Sequence, residues 1–280
     1  MDFEKVHIKA PAKINLSLSV EPPRDDGMHT IRSKMARIAL FDDLELTRLD
    51  AHALSRYAIL WHDDAPKRTD IDWPVTSDLA VRAHRMLEEV AGRSLPVQMK
   101  LEKRIPVGGG LGGGSADAAA MMLATIELFD LKLDAHAIAS NLGSDIPYLL
   151  HGGAGIVRGV GENIEPLEHE EIHLVLIIPE YSCKTASVYA SFDALGCPSG
   201  SGNDLLIPAC EVESRLGKDI ETLQALSELE VHLSGSGSTM FIICDNVLHA
   251  ATLAETIEKQ TNHVAMATKT YSPNKIMERT

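Results

Sequence analysis

PVGGGLGGGSADAAA, residues 106–120, is the most informative segment of the sequence. Six glycines fill the seven positions 108–114 around Leu111, so almost no Cβ atoms stand between the backbone amides and an approaching ligand. The small and polar residues that follow predict a helix, whose first turn offers free N–H groups and the positive end of a dipole. This combination is typical of a loop that binds phosphate.

The residues before the loop predict a strand. Val97, Met99 and Leu101 alternate with polar residues, as expected for a strand with one buried face. The P-loop pattern is excluded because it requires a lysine after the last glycine, where this chain has Ser115 and Ala116. A dinucleotide-binding fingerprint is disfavoured because its strand is apolar on both faces. The helix behind the loop also argues against a flexible linker.

Further out, KINLSLSV at residues 13–20 alternates polar and apolar residues, so Lys13 and Asn15 share one face of a predicted strand. Ser77 is the predicted N-cap of a helix that stops at Gly92. Turn signals are present at Asp42 and Asp43. Other predicted elements are a helix over 135–142, a strand over 152–161, a strand from 173 and a domain boundary within 165–171; residues 50–76 give no clear pattern.

The amino-acid composition limits the classes of protein to which the chain can belong. With 280 residues, 45% of them hydrophobic and 24% charged, the chain can form one large or two modest domains. A formal charge of −14 argues against binding to nucleic acid or to anionic membranes. The first ten residues contain two acids and no long apolar run, so a cytoplasmic location is expected. The four cysteines lack CxxC spacing, and no metal or redox site is predicted from them.

The loop of residues 106–116 resembles the PxGxGLGSSSA loop of the GHMP kinases. APAKINLSLSV at 10–20 and GSDIPYLLHGGAGIVRGVGENIEPL at 143–167 narrow the resemblance to the members that act on 4-diphosphocytidyl-2-C-methyl-D-erythritol. Shorter similar pieces are DGMHTIRSKM from Asp26, KTASVY from Lys184, GNDLL from Gly202 and LSGSGSTMF from Leu233.

This resemblance implies an α+β fold of two domains, the GHMP kinase fold. Residues 1–168 are expected to form a nucleotide-binding domain like ribosomal protein S5 domain 2, and residues 169–280 a ferredoxin-like domain. The implied reaction transfers the γ-phosphate of ATP to the C2 hydroxyl of the cytidine-diphosphate-linked polyol, a step of the non-mevalonate route to isoprenoids. Mg²⁺ is expected to arrive with the nucleotide, and the partner is this small molecule. The sequence leaves the oligomeric state open.

The resemblance also assigns roles to residues. Lys13 and Asp145 match the catalytic positions, although Asp145 would equally suit a helix N-cap. Asn15 is expected to bind the polyol, and His29 and Tyr189 the cytosine ring. The nucleotide is expected on the loop residues Pro106, Val107, Gly108, Gly109, Gly110, Leu111, Gly112, Gly113, Gly114, Ser115 and Ala116. Among these, Ser115 would contact phosphate or Mg²⁺, or else cap the following helix.

Three residues depart from the family pattern. Met28 replaces the usual tyrosine, so one aromatic face for cytosine is missing. Asp78 replaces a common asparagine, which puts the adenine contacts in question, and Ala116 replaces a serine. Two alternatives therefore stay open: a GHMP kinase for a different alcohol, and a catalytically silent nucleotide-binding homologue.

Overall fold

The computed structural model describes residues 4–200, 202–272 and 277–279. These residues mix helices and strands, so the expected α+β class is confirmed. The strands are β1 (Lys5–Pro23), β2 (His29–Arg48), β3 (Arg56–Trp61), β4 (Val97–Lys103), β5 (Ala154–Gly159), β6 (Asn163–Leu167), β7 (His173–Ile178), β8 (Val231–Leu233), β9 (Met240–Cys244), β10 (Val264–Lys269) and β11 (Met277–Arg279). The helices are α1 (Leu79–Ala91), α2 (Gly113–Phe129), α3 (Ala135–Ala139), α4 (Ile146–His151), α5 (Thr185–Ala194), α6 (Leu206–Val212), α7 (Ser214–Ser227) and α8 (Val247–Gln260).

The first sheet has seven strands, built around the long antiparallel pair β1 and β2. Its order is β11-β1-β2-β4-β3, and β5 pairs with both β2 and β6. One end of β2 pairs with β4 and the other end with β5. The predicted turn at Asp42 and Asp43 is wrong, because β2 runs straight through both residues. Asp42 is instead fully buried, and it accepts hydrogen bonds that anchor the start of the glycine loop.

Helices α1 and α2 cover one face of this sheet. Helix α2 is buried on most of its surface, because it packs against α1, β1 and α4. Helix α1 ends at Gly92 in a left-handed conformation, as predicted, but its N-cap is Asp78 rather than Ser77. A carboxylate caps as well as a hydroxyl does, and Asp78 accepts from the N–H of Ala80 at 2.9 Å. Helix α3 stops at Ala139, three residues before the predicted end.

The second sheet has four strands in the order β10-β7-β9-β8. All its neighbours are antiparallel, and helices separate β7 from β8 and β9 from β10 along the chain. Numbered within this part of the chain, the order is 4-1-3-2 in a β-α-β-β-α-β sequence, which is the expected ferredoxin-like arrangement. Its core includes Val175, Ile177, Phe192 and Ile242.

The first sheet ends with β6 at Leu167 and the second begins with β7 at His173, so we propose to divide the chain into domains at 168/169. Several pairings cross this division, and two of them involve β1. Strand β11 returns to pair with β1, and Leu18 of β1 forms an isolated parallel bridge with Asn203. Among the described residues, no helix is long and apolar enough to cross a membrane.

Candidate active site

A cavity of about 1120 Å³ lies between the glycine loop and the edges of both sheets. Its walls come from distant parts of the chain: β1, the loop before β2, the glycine loop, the turn before α4, and α5. The expected site residues that line it are Lys13, Asn15, Met28, His29, Asp145 and Tyr189, together with loop residues 106–115. The fold thus brings nearly all of them to one place.

Two backbone features shape the glycine loop. Gly112 has φ of 69° and is the N-cap of α2, so the helix begins at Gly113 and Ser115 does not cap it. The carbonyl of Leu111 accepts a hydrogen bond from the Lys13 N–H at 2.9 Å. A Cβ atom on Gly112 would lie 3.0 Å from the Lys13 side chain and 3.6 Å from an oxygen of Asp145. Glycine is needed here so that the loop can lie against these two side chains.

Gly109 and Gly110 of the loop also lie in close contact with the C-terminal part of the chain. A Cβ on Gly110 would come within 2.2 Å of the Ser234 carbonyl, and one on Gly109 within 2.6 Å of Thr239 Oγ1. Ser234 Oγ donates to the Gly110 carbonyl at 3.0 Å. The second glycine-rich segment, residues 234–238, therefore packs directly on the first. Its residue Gly235 also lines the cavity.

Lys13 and Asp145 lie beside each other in the wall of the cavity. Lys13 Nζ lies 3.4 Å from Asp145 Oδ2 and donates to Asn15 Oδ1 at 2.7 Å. Asn15 in turn donates to Ser33 Oγ at 2.8 Å, which fixes the amide orientation. The Lys13 and Asn15 side chains are buried, whereas the side chain of Asp145 is 26% exposed. The arrangement is a fixed ammonium beside a carboxylate that a ligand can reach.

Helix α4 positions Asp145, and both of its ends are held. Asp145 occupies the N-cap position, but its side chain makes no capping hydrogen bond. At the other end, buried Arg37 donates to the Leu149 carbonyl. Arg37 sits directly opposite Lys13 in the register of β1 and β2. One residue pair of β1 and β2 thus contacts both ends of α4: Lys13 through its ion pair with Asp145, and Arg37 through the Leu149 carbonyl.

His29 and Tyr189 lie together at another part of the cavity. Their ring centroids are 4.9 Å apart with an angle of 44° between the planes. Burial, with a smaller contribution from the negative charge of Asp145, raises the pKa of Tyr189 to about 12, so its phenol stays protonated at neutral pH. Met28 lines the same region and is 50% exposed. Met28, which stands where the family usually has a tyrosine, therefore lies at the rim of the cavity.

A buried ionic triad beneath the glycine loop was not predicted. Lys103 Nζ donates to Asp42 Oδ2 at 2.6 Å and to Asp117 Oδ2 at 2.5 Å. Burial alone would lower the pKa of Lys103, but the charges of Asp117 and Asp42 outweigh it and raise that pKa. Burial raises the pKa of Asp117 well above its usual value, opposed by Lys103 and assisted by Asp42. The sequence of β4 could have predicted the burial of Lys103, because this residue follows Met99 and Leu101 at the two-residue spacing of the buried face.

Three further residues near the glycine loop differ from the sequence-based expectations. Trp73 lines the cavity and donates from its indole N–H to Asp78 Oδ2 at 3.2 Å. Asp78 is thus held by its capping bond and by the indole. Ala116, by contrast, lies in the core, and its N–H donates to the Gly112 carbonyl within α2. The structure places Ala116 away from the cavity, and its role in nucleotide binding stays a prediction.

Comparison with known proteins defines the class first. The family model "GHMP kinases N terminal domain" matches residues 78–153, which include the glycine loop and Asp145. The archaeal mevalonate kinase of Methanococcus jannaschii has the same fold, with a TM-score of 0.63 at 11% identity over 95% of this chain and 98% of that one. The fold that the family resemblance implied, the GHMP kinase fold, is thus confirmed.

Relatives with higher sequence identity show which family within this class the chain resembles. A 4-diphosphocytidyl-2-C-methyl-D-erythritol kinase from Chlorobaculum parvum is 34% identical over 89% of this chain and 92% of its own length. One from Thermus thermophilus is 34% identical over 89% and 91%. A crystal structure of 4-(cytidine 5'-diphospho)-2C-methyl-D-erythritol kinase matches with a TM-score of 0.77 and 32% identity, over 95% of this chain and all (100%) of that one. The chain belongs to the 4-diphosphocytidyl-2-C-methyl-D-erythritol kinase family.

Proposed function

We propose that this protein transfers the γ-phosphate of ATP to the C2 hydroxyl of 4-diphosphocytidyl-2-C-methyl-D-erythritol, in the non-mevalonate route to isoprenoids. The observation that carries the proposal is the Lys13–Asp145 pair, 3.4 Å apart in one cavity with the glycine loop. Membership of the kinase family supports the reaction class. The proximity of His29 and Tyr189 supports a ligand that carries a planar base.

Asp145 is proposed to act as the general base. Its carboxylate would accept the proton of the C2 hydroxyl while that oxygen attacks the γ-phosphorus, and the bond to the β-phosphate oxygen breaks to release ADP. The ammonium of Lys13, 3.4 Å from the Asp145 carboxylate, would stabilise negative charge on the transferred group. Because Asn15 and the Leu111 carbonyl hold Lys13, it needs little rearrangement during the reaction.

The two ligands would enter the cavity from different sides. The phosphates of ATP would lie along the glycine loop at the N-terminus of α2, a 17-residue helix with a positive dipole end. Mg²⁺ would arrive bound to the phosphate oxygens, as is usual for this cation. Ser115 lines the cavity at the first turn of α2, and its hydroxyl would contact a phosphate. Asn15 would bind a hydroxyl of the polyol.

Two other readings are weaker. A GHMP kinase for another alcohol would not need the His29–Tyr189 pair, and a silent homologue would not need both Lys13 and Asp145 beside an open cavity. The charge of −14 also disfavours a nucleic-acid or membrane partner. We propose a cytoplasmic enzyme that works on a small molecule.

A substrate panel tests the proposal. Purified protein with ATP–Mg²⁺ is offered the cytidine-diphosphate-linked polyol, mevalonate or homoserine, and ADP release is followed with time. Turnover is expected with the first substrate only. Turnover with mevalonate or homoserine but not with the cytidine compound would refute the proposed substrate and would still support a kinase activity. No ADP release with any of the three would favour the silent homologue.

A further inference from the structure

Arg37 is a buried cation at the C-terminal end of α4. It is only 4% exposed, and burial lowers the pKa of its guanidinium, opposed by Tyr148 and Tyr271 rather than by a carboxylate. Its Nη2 donates to the Leu149 carbonyl, whereas its Nε has no hydrogen-bond partner among residues 4–200, 202–272 and 277–279. A buried charge with so few partners is costly, and a well-packed apolar side chain is often as stable. Stability alone therefore does not explain an arginine at this position.

The guanidinium lies directly against the backbone that ends α4. A Cβ atom on Gly152 would lie 2.6 Å from Nη1, 2.7 Å from Cζ and 2.8 Å from Nη2 of Arg37. The last carbonyls of a helix have no partners within it, and Arg37 supplies the partner for the carbonyl of Leu149. Arg37 thus fixes the C-terminal end of α4 to β2.

Leu149 connects this contact to Asp145. The Leu149 N–H donates to the Asp145 carbonyl at 3.1 Å, while the Leu149 carbonyl accepts from Arg37. Helix α4 has only six residues, about 9 Å of helix, so its two ends move together. Arg37 is also the register partner of Lys13. Both members of the Lys13–Asp145 pair are therefore held from the same point of the β1–β2 pair.

We propose that Arg37 is a positioning residue of this enzyme, which sets the separation between the Asp145 carboxylate and the Lys13 ammonium through Leu149. This inference rests on the proposed function, because it takes Asp145 to be the base. Arginine suits the task because its planar guanidinium directs its donors in a fixed geometry. A small displacement of the base would lower kcat, whereas binding of the substrate elsewhere in the cavity would be retained.

A double-mutant cycle tests the proposal. The wild type, Arg37→Met, Asp145→Asn and the double variant are compared by kcat and KM for the cytidine-linked substrate at saturating ATP–Mg²⁺. Methionine cannot donate to the Leu149 carbonyl, so kcat should fall by about tenfold while KM changes by less than about twofold. In the Asp145→Asn background, the same change should lower kcat by less than about twofold, because no base is left to position.

Two further variants separate positioning from general stability. Arg37→Lys keeps the charge and a donor but not the planar geometry, so its cycle should show a smaller loss of kcat, about threefold, that also vanishes with Asp145→Asn. Tyr148→Phe is the control at the same end of α4, because it removes the 2.7 Å hydrogen bond to the Gly153 carbonyl and leaves Arg37 in place. It should lower the melting temperature but keep kcat within about twofold of the wild type.

The outcomes distinguish this inference from the proposed function. An unchanged kcat in Arg37→Met, or an equal fold-loss with and without the Asp145 carboxylate, would overturn the role of Arg37 and keep the proposed function. An equal loss of kcat in Tyr148→Phe would also overturn that role, because any loosening of α4 would then be sufficient. A wild-type kcat in Asp145→Asn would overturn both the proposed base and this inference.

Discussion

At the scale of single residues, Lys13 is held in the cavity by hydrogen bonds to Asn15 and to the Leu111 carbonyl. The alternation in KINLSLSV placed Lys13 and Asn15 on one face, and the structure joins them by a 2.7 Å hydrogen bond. For Asp145 the residues alone left capping and catalysis open. Only the structure shows that its side chain makes no cap bond. Asp193 also lines the cavity, and the sequence could not predict this because nothing near it distinguishes an acid at a cavity from an acid in solvent.

Met28 offers a prediction at this scale. Met28→Tyr would add an aromatic face at a half-exposed rim position of the cavity. The KM for the cytidine-linked substrate should fall by about two- to tenfold, the scale of one aromatic contact, with kcat unchanged. Leu54→Tyr, at a residue that is 86% exposed and outside the cavity, serves as the control and should leave KM unaltered. An unchanged KM in Met28→Tyr would place the base elsewhere.

At the scale of elements, local patterns were reliable where one physical effect dominates. The strand–glycine loop–helix unit was predicted because few sequences other than a ligand loop contain six glycines in seven positions. In α1, burial does not follow the polarity of the side chains. Val90 is 50% exposed, whereas His84 is fully buried. Burial of His84 is possible because Tyr57 and the Leu95 carbonyl satisfy its two ring nitrogens, and both partners are remote in sequence or outside the helix.

Gly112 tests whether the loop positions the catalytic pair. Gly112→Ala would place a methyl group 3.0 Å from the Lys13 side chain at a residue with φ of 69°. We expect kcat to fall by about tenfold or more, because displacement of a catalytic group by a fraction of an ångström is costly. The measurement is steady-state kinetics together with a thermal melt.

The matched control is Gly92→Ala at the end of α1. Gly92 has a similar φ of 64°, but a Cβ there meets nothing within 4 Å. Both variants should lose roughly 1–2 kcal/mol of stability from the left-handed backbone. Only Gly112→Ala should lose turnover. Equal kcat values in the two variants would show that the loop does not set the position of Lys13.

At the scale of the whole molecule, the site exists because two sheets meet at the glycine loop. Thr239 donates its N–H to the Gly109 carbonyl at 3.1 Å, and Ser234 donates to Gly110, so the C-terminal part of the chain supports the N-terminal loop. Periodicity cannot predict such contacts, since they join residues about 125 apart. The family resemblance supplied the two-domain arrangement, but the return of β11 to β1 was not predicted.

The central claim is that this cavity performs phosphoryl transfer with Asp145 as the base beside Lys13. The most direct test is the kcat of Asp145→Asn with the cytidine-linked substrate at saturating ATP–Mg²⁺. Asparagine keeps the size of the side chain but cannot accept the proton, so kcat should fall by about 100-fold or more. The control is Asp134→Asn, because Asp134 does cap its helix through the N–H groups of His136 and Ala137. We predict normal turnover for Asp134→Asn and nearly none for Asp145→Asn, whereas an unchanged kcat in Asp145→Asn would contradict the claim.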